Sequence, residues 1–192
     1  MTGHPLAPSP ALVNAAIREF EDDPDTSSTD AALTLLFNRF PLNDSLQPVL
    51  LKATAVNSLY ATNVYALLQV ARHILHLNID PCLANGDPEI VDRVAKFSVK
   101  GKSRQILSFA SKYCSWHRPE HYPIYDSFVA RLLLAYGHRD GFSRFTETEL
   151  RVYQRFRGVV GDFREFYGLQ ALTFKQLDKF LWGYGRRYFT GG

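Results

Sequence analysis

Asp126 has the residue type and the position for chemistry, because it follows the stretch YPIY and opens an apolar helical pattern. Its side chain can cap the backbone N–H groups of Phe128 or Val129. The N-terminal end of a helix favours the ionised carboxylate. Such a carboxylate can orient a water molecule or stabilise a cation that develops on a sugar ring during glycosidic cleavage. We predict a catalytic role for Asp126, and a purely structural helix cap is the alternative interpretation.

The segment SVKGK, residues 98–102, is a second feature that could form part of a site, because it joins two helical patterns through a glycine. A turn of this kind can direct backbone N–H groups and the N-terminus of the next helix toward a phosphate group. Nearby cations would add charge at the same place. An ordinary helix connection with solvated lysines is the alternative. We predict nucleic-acid contacts from five residues: Lys100, Gly101, Lys102, Arg104 and Lys112.

Three ring side chains lie close to Asp126 in the sequence, namely Tyr122, Tyr125 and His117. A base that is extruded from a duplex is commonly held against aromatic side chains. We therefore predict that these residues line a base pocket. Packing of the two tyrosines in the core, and of a buried histidine against backbone, is the alternative.

The elements that must position these residues are helical almost throughout. Apolar residues recur at helix spacing along most of the chain, and Thr146 with Glu149 and Thr173 with Gln176 form capping boxes. Strand-like alternation is absent beyond a few residues. We predict an all-α, compact bundle of about eight to ten helices. Residues 1–30 are expected to form an N-terminal helix and an acidic linker, and residues 31–192 a single domain.

The charge is unevenly distributed along the 192 residues. Residues 1–96 contain 6 Lys or Arg and 11 Asp or Glu, whereas residues 97–192 contain 16 and 8. A basic half is typical of a protein that binds a polyanion, and DNA is the expected partner. A solvated surface explains the same surplus equally well.

Further composition features bear on environment and cofactors. Two cysteines and the absence of an export signal predict reduced thiols in a cytoplasmic protein. We also expect a monomer. No apolar run is long enough for a membrane helix. A zinc site needs about four ligands and an iron–sulfur cluster four cysteines, so we expect neither a metal nor another cofactor.

The stretch SVKGKSRQILSFASKYCSWHRPEHYPIYDSFVARLL resembles the helix-hairpin-helix and Pro/Asp signature of the DNA glycosylase superfamily, in particular the oxoguanine glycosylase kind. Motifs across residues 49–189 are also similar to those of a set of bacterial proteins that share SFASKYCSWHRPEHYPIYDSFV. The resemblance implies that Asp126 corresponds to the catalytic aspartate and residues 98–102 to the hairpin. Bifunctional members carry a lysine before the hairpin, where this chain has Asp92, Arg93 and Val94. The resemblance therefore implies a monofunctional, water-activating enzyme.

Three functions are consistent with these features. The first is a DNA N-glycosylase-like hydrolase that grips a duplex with the hairpin and excises a modified base with Asp126. The second is a nucleic-acid-binding protein of the same fold without catalysis. The third is a helical protein-interaction domain in which the basic half is only a solvated surface.

Overall fold

Ten α-helices make up most of the part of the chain that the computed structural model describes, which is residues 4–99 and 101–191. This confirms the all-α fold and the helix number predicted from the sequence. The helices are α1 Pro10–Asp22, α2 Pro24–Arg39, α3 Leu46–Leu59, α4 Leu67–Leu77, α5 Asp80–Ala84, α6 Glu89–Ala95, α7 Leu107–His117, α8 Ser127–Asp140, α9 Tyr153–Phe166 and α10 Phe174–Thr190. The other regular elements are strands β1 Lys96–Val99 and β2 Lys102–Gln105 and a 3-10 turn at Glu149–Arg151.

The N-terminal segment is helical over most of its length. The side chain of Ser9 caps α1 by accepting a hydrogen bond from the backbone N–H of Leu12, and Pro10 occupies the first helical position. Asp23 interrupts the helices for a single residue and caps α2. The stretch predicted as an acidic linker therefore belongs to α2 from Pro24 onward. The division of the chain at residue 30 stays a prediction.

The core is formed where α3 packs on α4, α6 on α7, and α10 on both α1 and α8. Large aromatic and aliphatic side chains fill it, as the helical apolar pattern predicts. Its fully buried members include Val49, Val56, Ile74, Phe109, Leu133, Phe156, Phe163 and Phe180.

Lys52 places a charged group inside this core, since its side chain is fully buried. The Nζ atom donates hydrogen bonds to the carbonyl oxygens of Phe40 and Leu42 at 2.9 and 2.8 Å and to Oδ1 of Asn43 at 2.9 Å. Burial lowers the pKa of Lys52 to about 8, and the negative charge of Asp80 opposes that shift. The three acceptors fix the chain between α2 and α3 around one buried amine.

The connection between α6 and α7 differs from the single glycine turn between two helices that the sequence predicts. Helix α6 ends at Ala95, and β1 and β2 pair antiparallel with Val99 opposite Lys102. Gly101 has a φ of 74°, which a two-residue hairpin turn commonly requires. Helix α7 begins only at Leu107, so its N-terminal N–H groups are not part of the turn. The helix-hairpin-helix element predicted here is not confirmed.

No helix within residues 4–99 and 101–191 combines the length and apolar composition that a membrane crossing requires.

Helices α8 and α10 lie close together at Gly185. A Cβ atom at this position would lie 3.1 Å from the carbonyl oxygen of Phe128, in the first turn of α8. Because this neighbour is backbone, the clash can be relieved only by moving a helix. Gly185 therefore sets the distance between α10 and the start of α8.

We predict that Gly185→Ala lowers the free energy of unfolding by about 1–2 kcal/mol, because an inserted methyl group overpacks the α8–α10 contact. Gly183→Ala is the matched control on the same helix, since its Cβ would meet no described heavy atom within 4 Å. This control should gain about 0.5–1 kcal/mol from helix propensity. Urea unfolding followed by circular dichroism measures both, and equal stability of the two variants would contradict the packing argument.

Candidate active site

Asp126 lies at the end of the corner that joins α7 to α8, and α7 itself holds that corner in place. The backbone N–H of Tyr125 donates to Oγ of Ser111 at 2.9 Å. Oδ1 of Asp126 accepts a hydrogen bond from the backbone N–H of Phe128 at 3.0 Å, as a helix cap does. The capping geometry predicted from the sequence is therefore present.

The second carboxylate oxygen of Asp126 has a partner that the sequence does not reveal. Nζ of Lys112 lies 3.3 Å from Oδ2 of Asp126 and donates to Oγ of Ser108 at 2.7 Å. The Lys112 side chain is 4% exposed and that of Asp126 is 18% exposed. Lys112 was predicted to contact a phosphate group, but its amine points into the protein and pairs with the candidate catalytic carboxylate.

Asp178 on α10 is a third charged group close to this pair. Its Oδ1 atom is buried and accepts no hydrogen bond from the described residues. Burial raises the pKa of Asp178 to about 7; the positive charge of Lys112 opposes this shift, and the negative charge of Asp126 adds to it. A buried carboxyl group without a partner is costly for a folded protein, and such groups occur most often at functional sites.

Asp126 and Asp178 line the same cavity, which has a volume of about 360 Å³. Aromatic rings of Phe20, Tyr60 and Trp182 form much of its wall. A neighbouring cavity of about 340 Å³ shares Phe20, Asp30, Tyr60, Ile124 and Asp178 with it. Cavities of this size, mostly apolar with a few converging polar groups, are typical of small-molecule sites. The arrangement brings aromatic surface together with several carboxyl groups, Asp126 and Asp178 among them.

The three side chains predicted as a base pocket lie in three different places. Tyr122 is fully buried, and its hydroxyl donates to the carbonyl oxygens of Cys82 and Asp87, both at 3.1 Å. Tyr122 therefore has the structural role that was the alternative interpretation. Tyr125 lines a separate cleft beside the hairpin.

His117 lines the neighbouring cavity, where its Nε2 atom lies 3.3 Å from Nζ of Lys52. Burial and the positive charges of Lys52 and Arg118 lower the pKa of His117 to about 3. The ring is therefore neutral and suited to accept a hydrogen bond from Lys52. Proton transfer at neutral pH needs a group that titrates closer to 7.

The cleft beside the hairpin has a volume of about 800 Å³ and lies between β2 and the loop after α3. Arg104 and Arg151 supply positive charge to its lining. Tyr65 also lines it and is 96% exposed. This cleft contacts Tyr125 but not Asp126, so the hairpin and the candidate catalytic residue face adjacent depressions rather than one.

The predicted hairpin contacts have different outcomes. Arg104 and Gly101 are exposed, as a nucleic-acid contact requires. Lys100 lies outside the described residues. Lys102 belongs to β2 by its backbone, and nothing further about it is described.

Part of the basic surplus in the second half of the chain is neutralised within the molecule. Lys175 pairs with Asp30 at 3.0 Å, and Lys179 pairs with Glu21 at 2.8 Å. Arg187 pairs with Glu19. The acidic first half and the basic last helix are therefore complementary surfaces of one fold, and the charge asymmetry is weaker support for a polyanion than the sequence suggests.

Sequence reasoning missed Asp178 and Asp30. The signal for Asp178 was present, because it lies among Phe174, Leu177, Leu181 and Trp182 on the apolar face of α10. A carboxylate on a core-facing stripe is unusual unless it has a function or a partner. Asp30 gave no such signal, because its segment was interpreted as a linker.

Comparison with known proteins places the chain in a family. Residues 12–121 match the model of the HI_0787_N family, which is described as an N-terminal domain, and the chain belongs to this family. A protein of Haemophilus influenzae, described as uncharacterised, is 39% identical over 145 residues, which is 75% of this chain and 69% of the relative. No solved structure matches the chain.

We predict that Asp178→Asn raises the free energy of unfolding at pH 8 by about 1–3 kcal/mol, because it removes a buried charge that lacks a hydrogen bond. The pKa of Asp178 is higher in the folded than in the unfolded chain. The protonated Asp178 carboxyl group therefore contributes to the free energy of unfolding at low pH, and this contribution is lost as pH rises through about 7. The gain from the substitution should shrink toward zero at pH 4.

Urea unfolding at pH 8 and pH 4 measures this difference. Asp25→Asn is the matched control, since Asp25 also lines the cavity but is exposed. It should change stability by less than about 0.5 kcal/mol at both pH values. An Asp178→Asn variant that is less stable than the wild type at pH 8 would contradict the prediction, because it would show that the Asp178 carboxylate has a stabilising partner.

Proposed function

We propose that a monomer of this protein binds duplex DNA and excises a base as a monofunctional N-glycosylase. The observation that carries the proposal is the position of Asp126 at a helix N-terminus, on the wall of an aromatic cavity. Aromatic rings give an extruded base a surface to pack against, and Asp126 lines the same cavity, so that its carboxylate would be close to the sugar. The resemblance of the corner sequence to the glycosylase signature supports the same function.

Asp126 would act on the sugar. Breaking the bond between a base and C1′ leaves positive charge on the sugar ring, and a nearby carboxylate stabilises that charge. The backbone N–H of Phe128, in the first turn of α8, and the ammonium group of Lys112 hold the carboxylate of Asp126 in its orientation. The same carboxylate can then orient the water that attacks C1′, which releases the base and leaves an abasic sugar.

The cleft beside the hairpin would hold the DNA backbone. Arg104 and Arg151 lie along it and can contact phosphate groups, which supply most non-specific affinity for DNA. Exposed Tyr65 offers an aromatic surface at the same rim. The loop after α3 separates this cleft from the cavity of Asp126, since Tyr60 and Ala61 line the cavity whereas Thr62 and Asn63 line the cleft. A base would pass over this loop from the duplex to the cavity.

We predict that Asp126→Asn lowers the rate of base release at least about 100-fold, because asparagine keeps the helix cap but has no charge to stabilise the sugar cation. The measurement uses duplex oligonucleotides that each contain one deaminated, oxidised or alkylated base, with strand scission at the abasic product as the readout. Asp44→Asn is the control, since Asp44 is an exposed carboxylate before another helix. If the wild-type protein releases no base from the panel but binds the duplexes, the protein is a binding module without catalysis.

We predict that Arg104→Ala and Arg151→Ala each weaken the salt dependence of duplex binding. The slope of log Kd against log salt should fall by about 0.9 in each variant, because each substitution removes one phosphate contact. Fluorescence anisotropy between about 50 and 200 mM salt measures this slope. Arg187→Ala is the matched control, since Arg187 lines a different depression and not this cleft. A control that changes the slope as much as the two variants would place the DNA elsewhere, and no measurable binding by the wild type would favour a protein-interaction domain.

A further inference from the structure

We infer that Asp178 is a second catalytic residue, which protonates the departing base while Asp126 stabilises the sugar. This inference rests on the proposed function and deepens it. It also selects a substrate class. A neutral base needs a proton to leave as a stable molecule, whereas a base that already carries a positive charge does not. The site would therefore act on neutral bases.

The geometry gives Asp178 and Asp126 separate tasks in one cavity. Asp126 is part of the start of α8, where its carboxylate accepts the N–H of Phe128 and pairs with Lys112. Asp178 reaches the same space from α10, on the wall that also holds Trp182. Two carboxyl groups in different environments are the usual arrangement for an acid and a charge stabiliser.

The unpartnered oxygen of Asp178 argues for a ligand rather than a structural role. Structural carboxylates satisfy their lone pairs, as the half-buried Asp92 does by accepting the backbone N–H of Tyr153 at 3.2 and 3.1 Å. Oδ1 of Asp178 is buried and has no hydrogen-bond partner among the described residues, although Asp178 lines both cavities. A ring nitrogen of a base in the cavity would supply the missing partner once the carboxyl group rotates this oxygen toward the cavity.

The surrounding charges support a carboxyl group that holds its proton near neutrality. Burial is the largest cause of the raised pKa, and the negative charges of Asp126 and Asp30 add to it. Lys112 on α7 and Lys175 on α10 act in the opposite direction. Tyr60, directly after α3, lies near Asp178. Burial raises the pKa of the Tyr60 hydroxyl, and the negative charge of Asp178 adds to that shift. The acid is therefore available below about pH 7 and is lost above it.

The proposed step balances in atoms and charge. The bond from C1′ to the base nitrogen breaks, and its electron pair goes to the base. The proton of Asp178 passes to a nitrogen of the base, which leaves neutral. A water molecule attacks C1′ and gives its hydroxyl to the sugar and its proton, through Asp126, to solvent. Asp178 then regains a proton from solvent, so that the net reaction is hydrolysis.

The first experiment tests the acid without requiring catalysis. The two tryptophans of the chain, Trp116 and Trp182, line the two cavities that meet at Asp178. Their fluorescence should therefore change with an apparent pKa of about 7 in the wild type. The transition should be absent in Asp178→Asn and unchanged in Asp25→Asn. A wild type without this transition, or one that persists in Asp178→Asn, overturns the inference whatever the protein does to DNA.

The second experiment compares two kinds of leaving base in duplex oligonucleotides, with Asp178→Asn and the wild type. Release of a neutral base should fall at least about 100-fold in Asp178→Asn, and wild-type release should decline above pH 7. Release of 7-methylguanine, whose ring is cationic, should change by less than about threefold if the wild type accepts it. Equal loss for both bases, or no loss for a neutral base, contradicts the assignment. If the wild type releases neither base although the fluorescence transition is present, the proposed function fails and the acid role fails with it.

Discussion

The buried ammonium group of Lys52 is the constraint on which much of the architecture depends. A charge in the core is tolerated only with several hydrogen-bond partners, and those of Lys52 come from the chain between α2 and α3. One of them, Asn43, also donates its backbone and side-chain N–H groups to Asp80 at 2.8 and 2.6 Å and accepts the hydroxyl of Tyr113 at 2.6 Å. The polar cluster thus ties α2, α3, α5 and α7 together. Removing the amine would leave four elements without a common partner.

Helix α7 transmits this constraint to the candidate site. Consecutive residues of α7 contact the two regions. Tyr113 bonds to the Lys52 cluster, whereas Ser111 and Lys112 bind Tyr125 and Asp126. The site is completed by α10, whose distance from α8 is set at Gly185. Two carboxyl groups that are far apart in sequence are therefore brought to one cavity by two helix contacts, and neither depends on a flexible loop. Such rigidity is what a site needs if it is to hold reacting groups within a fraction of an ångström.

The sequence predicts some of these features and not others for identifiable reasons. The helices, the cap at Asp126 and the box at Thr173 depend on local patterns, which a single chain displays. The turn at residues 98–102 was predicted, but the residues that flank it in β1 and β2, 96–97 and 103–105, were predicted as helix because four-residue strands are too short to show alternation against a helical background. The Lys112–Asp126 pair and the cavity wall of Asp178 are contacts across the fold. Only residue type could signal them, and a carboxylate on an apolar stripe was that signal.

The distribution of charge follows from the same packing, and it restricts where DNA could bind under the proposed function. Because α1 and α2 use their carboxylates to pair with lysines and an arginine of α10, that side of the molecule offers little net attraction for a polyanion. The cavity is itself acidic even when Asp178 is protonated, because the described residues that line it include Asp25, Asp30 and Asp126 but a single lysine, Lys112. Phosphate groups would be repelled from it, while an uncharged base would not. The hairpin side, with Arg104 and Arg151, remains the surface where a backbone can be held. Under the proposed function, a nucleic acid would therefore lie across the cleft and send only a base into the cavity, and this division of charge would explain a site built from two adjacent depressions.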